Sequence, residues 1–128
     1  MKESISEASG HWASTISEGG KLTIQDRGML QAIDNHMDII NLSFGDLKYA
    51  QSLYEGIKKA SEHGLLIVAA SGNEGNGNGT GNTINYPARH EEVISVTAIN
   101  RHFKRSSFSG TGDTNDFAAP GKEIYSTY

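Results

Sequence analysis

Two short glycine-containing segments hold most of the residues that could do chemistry. One is Ser43-Phe44-Gly45; the other is Ser71-Gly72-Asn73-Glu74-Gly75. Each follows an apolar run that reads as a β-strand. In an open parallel sheet, ligands bind beyond the carboxyl ends of the strands. If the two strands are neighbours, both segments border one cleft, and their glycines let a ligand backbone approach closely. Asn73 would then present a neutral amide donor into that cleft. The same residues also read as ordinary strand-end turns, with Asn73 as a loop former and Phe44 as core. Composition and spacing leave both readings open.

Other chemistries find less support. The chain has no cysteine, so it has no disulfide, thiolate metal site or thiol nucleophile. His36 falls in a predicted helix and His63 just before a helix stop. His11, His90 and His102 show no spacing that suggests a metal site or catalytic base, and they read as surface residues. The glycines between Gly72 and Gly81 suggest a phosphate cradle but fail its pattern. Gly75-Asn76-Gly77 is followed by Thr80 where a third glycine is needed, and Gly77-Asn78-Gly79 by Asn82. No Lys-Ser or Lys-Thr follows a glycine, so a nucleotide-binding module is disfavoured.

The elements that must position these segments follow from periodicity. Met29, Leu30, Ile33 and Met37 recur at helical spacing, with Asp26 as a candidate N-cap. Ile39 to Ser43 reads as a short buried strand broken by Gly45 and Asp46. Ala50, Leu53, Ile57 and Ala60 form one face of a second helix that stops at Gly64. Leu65 to Ala70 is apolar throughout, which predicts a central parallel strand covered on both faces. Ser71 to Asn85 is a glycine- and asparagine-rich loop. Val93 to Ile99 reads as a strand, and Phe117-Ala118 and Ile124-Tyr125 as shorter ones. Helices alternating with strands predict an α/β fold with a mainly parallel sheet and flanking helices. Residues 1 to 20, with Trp12 and Ile16 as the main apolar positions, read as an irregular lead-in. Residues 21 to 128 form the domain.

Composition bounds the function. At 128 residues the chain suits one domain with a core. Hydrophobic residues are 36% and charged residues 20%, unlike a disordered polymer. The longest strongly apolar run is far short of the roughly 20 residues of a membrane span. The net charge of −4 and the lack of a basic stripe argue against nucleic acid as partner. Met1 to Ser4 leads into a polar stretch with no apolar signal core, so the chain as it stands is expected to be intracellular.

Several segments together resemble the subtilisin-like serine proteases. They are Asn35 to Gly45, Gly64 to Gly75, Tyr86-Pro87-Ala88, Val93 to Ala98, Ser107-Phe108-Ser109 and Ala119-Pro120-Gly121. Order and spacing fit across roughly residues 22 to 127. The resemblance implies part of a three-layer subtilisin-like fold from a largely secreted family. It implies peptide-bond hydrolysis through an acyl-enzyme on serine. It gives Asn73 the role of oxyanion-hole donor. Ser43, Phe44 and Gly45 would pair with the substrate backbone and wall the primary specificity pocket. Ala69, Ala70, Ser71 and Gly72 would form the opposite wall, with Tyr86-Pro87 in a nearby turn that usually holds a cis peptide bond. Ala88, His90, Val93 and Asp116 would hold a weak calcium or monovalent cation, and Thr114 stands where a second acidic ligand often occurs.

The resemblance also predicts absences. In subtilisin the catalytic triad runs Asp, His, Ser along the chain. The Asp and His motifs lie upstream of the matched part, and Gly10-His11-Trp12 does not supply the His pattern. The nucleophile motif Gly-Thr-Ser-Met-Ala lies downstream of Ala119-Pro120-Gly121 and is not in the sequence. The chain alone is therefore expected to be inactive. The alternative is a non-catalytic homologue that binds a peptide, a protease partner or itself, a homo-oligomer then covering the apolar face that missing segments would leave.

Overall fold

A computed structural model describes residues 24–125. The expected lead-in at 1 to 20 lies outside them. Six elements follow one another: α1 (Ile24–Asp34), β1 (Ile39–Leu42), α2 (Gln51–Glu62), β2 (Leu66–Ala70), β3 (Val93–Ile99) and β4 (Phe117–Pro120). The strands form one sheet in the order β1-β2-β3-β4, and every pair is parallel. This is the α/β architecture that the alternation predicted. Two expectations fail at the edges. Asp26 lies inside α1 rather than capping it, and residues 124–125 form no strand, since no described segment pairs with them.

The core lies between the helices and one face of the sheet. Met29 and Ala32 of α1 meet Ile57 and Ala60 of α2. They cover Ile40, Leu42, Ile67, Ala69 and Val93, with Ile84 and Ala88 completing the buried cluster. Phe44 and Leu53 pack against its edge. Because side chains alternate along a strand, the other face carries Ile39, Leu66, Val68, Ile94, Val96 and Phe117. Leu66 is 46% exposed and Phe117 63%. β2 is thus covered on one face only by the described residues, not on both as its apolar run suggested. Uniform hydrophobicity reports a strand that both faces can bury; it does not report which residues do the burying.

α2 ends as predicted. Gly64 takes φ +83, where a side chain would be strained. Its N–H donates to the Ser61 carbonyl at 2.9 Å, and the Leu65 N–H to the Ala60 carbonyl at 3.1 Å. This double bond pattern satisfies the last helical carbonyls and turns the chain straight into β2. Leu65 is buried as the chain leaves the helix. No described helix is long and apolar enough to cross a membrane.

Ile57 is fully buried at the helix–sheet junction. Its replacement by Ala is expected to lower stability by about 2–5 kcal/mol, since the site cannot collapse without moving both helices. Urea unfolding followed by circular dichroism measures the change.

Candidate functional site

The parallel pairing of β1 with β2 decides the site. Leu42 is level with Ala69, so the turns that follow leave the sheet at the same edge, beyond the carboxyl ends. Ser43-Phe44-Gly45 follows β1, and Ser71 to Gly75 follows β2. A third segment reaches both. Asp46 and Tyr86 exchange two backbone hydrogen bonds, at 3.0 and 2.8 Å, and the Asn85 N–H donates to the Ser71 carbonyl at 2.9 Å. The Tyr86–Pro87 bond is cis, as the resemblance implied.

The glycines serve close approach. A Cβ on Gly45 would lie 2.8 Å from the Asn85 Cβ, and one on Gly72 would lie 2.6 Å from the Asn85 Cγ. Gly72 also has φ +98, so it is doubly restricted. One side chain, Asn85, thus touches both turns. Its Nδ2 donates to Glu74 Oε2 at 2.7 Å, and the Asn73 N–H donates to the same oxygen at 2.8 Å. The Asn73 side chain is exposed and has no hydrogen-bond partner among the described residues. It is therefore available as a donor, on a loop whose main chain Glu74 holds.

The remaining predicted residues divide. Ser43 is exposed and its Oγ accepts from Asn41 Nδ2 at 2.8 Å. Phe44 is half-buried and packs on the core, in line with its core reading. Ala70 is exposed at the strand end. Ala69 is 1% exposed and its side chain belongs to the core, which leaves only its backbone to serve as a wall. Ser71 is buried, with its Oγ 3.5 Å from that of Ser109. Pro87 is buried and Tyr86 half-buried.

The cation residues offer a thin donor set. The His90 carbonyl accepts the Val93 N–H at 3.1 Å, and Asp116 Oδ2 accepts the Ser95 N–H at 2.7 Å. Thr114 Oγ1 is buried without a partner. Ala88 and Val93 are core residues that could give only carbonyls. No group of three or more His, Asp or Glu among the described residues could hold a metal. Backbone oxygens and one partly committed carboxylate suit a weakly held monovalent ion better than calcium, which takes six to eight oxygens.

His90 is the clearest correction. It is 9% exposed, not a surface residue. Its ring stacks in an aromatic cluster, 4.6 Å from the Tyr54 ring centroid and 4.9 Å from that of Tyr86. Tyr49 meets Tyr86 edge-on at 5.5 Å, and the Arg89 guanidinium lies 5.1 Å over the Tyr86 ring. Burial lowers the His90 pKa, and the nearby Glu92 carboxylate opposes that only in part. Glu92 also raises the Tyr54 pKa, first through its charge, with burial and the Tyr54–Glu92 hydrogen bond adding to it.

Sequence reasoning missed Asn85 and the role of Glu74. Their contact joins residues 11 apart across a loop, and no periodicity marks it. It also missed Arg105. That guanidinium donates to the carbonyls of Ser106 and Ser109, each at 2.9 Å, and to that of Asn76 at 2.7 Å. It thereby ties the glycine loop to the β3–β4 connection. A hollow of about 640 Å3 lies beyond the ends of β3 and β4 against Phe103 and Pro120, and no residue of the two turns lines it.

Comparison with known proteins bears on this arrangement. The sequence profile described as "Subtilase family" matches residues 12–128. Minor extracellular protease Epr of Bacillus subtilis (strain 168) is 41% identical over 126 residues, 95% of this chain and 19% of that protein. Subtilisin DY of Bacillus licheniformis is 41% identical over 101 residues, 79% of this chain and 36% of that protein. Among solved structures, the prenylagaramide maturation protease PagA superposes with a TM-score of 0.70 at 29% identity, covering 87% of this chain and 41% of that one. The chain thus spans about a fifth to about a third of the length of these curated relatives.

A histidine whose folded pKa is lowered favours the fold only while it is neutral. The stability this gives is complete above the unfolded value near 6.5 and is lost as pH falls below it. The denaturant midpoint is therefore expected to drop between about pH 7.5 and about pH 5.5. His90→Phe, which keeps an aromatic ring but cannot titrate, is expected to flatten that drop.

Proposed function

Because the chain belongs to the subtilase family, we propose that it supplies the substrate-binding and oxyanion half of a serine endopeptidase cleft. The observation that carries this is the meeting of two glycine turns at neighbouring strand ends, with the exposed amide of Asn73 beside them. A peptide would lie along Ser43-Phe44-Gly45 on one side and Ala70, Ser71 and Gly72 on the other. When its carbonyl is attacked, the Asn73 amide donates to the oxygen that becomes negative. Such a donor is worth most because it is already oriented before charge develops. The Glu74 carboxylate, by accepting the Asn73 N–H, holds the main chain that carries this donor. The nucleophilic serine, its histidine base and the orienting aspartate belong to sequence outside these 128 residues. Ala88, His90, Val93 and Asp116 are proposed as a weak monovalent cation site that stiffens the turn after Pro87.

A second reading rests on the uncovered sheet face. Leu66 and Phe117 there are largely exposed among the described residues. Such a face favours association with further chain, whether a peptide-binding or protease partner or a second copy. Solution mass of the 128-residue chain separates the two outcomes: a dimer supports self-association, and a monomer opposes it.

The first reading is tested by hydrolysis. In the full-length protein, Asn73→Ala is expected to lower kcat strongly with little change in KM. The scale comes from subtilisin, the reference case for this donor, where its loss costs about 10²–10³ in kcat. Residues 1–128 alone are expected to give no adduct with a fluorophosphonate probe by intact mass. An adduct on one serine would place the nucleophile inside this chain and overturn the assignment.

A further inference from the structure

The loop after Asn73 holds both Asn-Gly pairs of the sequence. They have identical neighbours along the chain: Gly75-Asn76-Gly77 and Gly77-Asn78-Gly79. Such a pair can modify itself. The glycine nitrogen attacks the asparagine Cγ, and glycine has no side chain to block the approach. Local sequence therefore gives the two pairs the same reactivity. The fold does not.

Asn76 is held at both ends of its carboxamide. Nδ2 donates to the Thr80 carbonyl at 2.9 Å, and Oδ1 accepts the Thr80 N–H at 3.1 Å. Asn78 is exposed, and its side chain has no hydrogen-bond partner among the described residues. The attacking nitrogen of the second pair, that of Gly79, donates to the Asn76 carbonyl at 3.1 Å. Opening that bond costs little. The same carbonyl accepts from Arg105 Nη2 at 2.7 Å and stays satisfied, while the exposed Gly79 N–H turns to water. Gly79 also lies against the cation, since a Cβ there would be 3.1 Å from Arg105 Nη2. A fixed positive charge favours the oxyanion that forms as the nitrogen attacks.

We propose that Asn78 is a site of spontaneous covalent modification, whereas Asn76 is protected by its clamp to Thr80. The Gly79 nitrogen, giving its proton to a solvent base, forms a bond to Asn78 Cγ. The bond from Cγ to Nδ2 breaks, and Nδ2 takes up a proton and leaves as ammonia. Water opens the resulting cyclic imide at either carbonyl and leaves aspartate or isoaspartate at 78. Water is the only reactant consumed. The product carries a new carboxylate next to the residue that Arg105 covers. Its isoaspartate form also adds a methylene to the main chain of the loop. The inference stands apart from the protease reading, because it uses only the loop and its clamp.

The test is a time course of the folded full-length protein in mildly alkaline buffer, with a serine-protease inhibitor present. Peptide mapping by mass spectrometry with fragmentation separates positions 76 and 78, and isoaspartyl methyltransferase reports isoaspartate. Modification at Asn78 is expected to run at least about tenfold faster than at Asn76, the scale set by releasing two hydrogen bonds. In the protein unfolded in urea, the two positions are expected to react at similar rates. Equal rates in the folded protein, a faster Asn76, or no modification at either position overturns the proposal. The same preference for Asn78 in urea overturns it as well, since the chain and not the fold would then set the difference.

Discussion

The parallel register of β1 against β2 is the constraint on which the rest depends. With Leu42 level with Ala69, two turns far apart in sequence leave the sheet side by side. A slip of one residue would invert which side chains face the helices. Were β1 the strand to slip, Ile40 and Leu42 would turn outward and Asn41 would turn into the core. The burial of Ile40, Leu42, Ile67 and Ala69 under α1 and α2 therefore fixes the register, and the register fixes the cleft edge. Core packing and site geometry here are one event.

Backbone contact closes the arrangement from the other side. Gly75 lies directly against the Ser109 carbonyl, and Gly110 against that of Ser71. Its N–H donates to Gly72 at 3.1 Å. No side chain fits at either position, so the Asn73 loop is pressed onto the β3–β4 connection by main chain alone. Arg105 adds a charged clamp across the same seam. A donor loop this rich in glycine would otherwise lose much of its order to entropy. Here it is held by neighbours on both flanks, and its one exposed amide is left unspent.

The two faces of the sheet differ sharply. One is sealed by helices and buries Ile40, Ile67 and Val93; the other leaves Leu66 and Phe117 largely open among the described residues. The relatives that match this chain are about two to five times as long. The asymmetry therefore accords with a segment whose partner surface is supplied by further chain.

The sequence by itself determined the alternation of helices and strands, the Gly64 stop and the two glycine turns with Asn73 between them. These are local: periodicity, left-handed backbone and turn chemistry act within a few residues. The family was legible for the same reason, since its motifs are continuous stretches. Only the tertiary structure decided what fills the cleft. Asn85 reads as one more polar loop residue until Gly45 and Gly72 are seen to close on it. Glu74 reads as part of a motif until its carboxylate is seen to bind both Asn85 and the Asn73 main chain. His90, placed on the surface by its lack of partners, is buried because three tyrosines from separate segments converge on it. Close approach and shared acceptors join residues across the sheet edge, and no spacing along the chain records them.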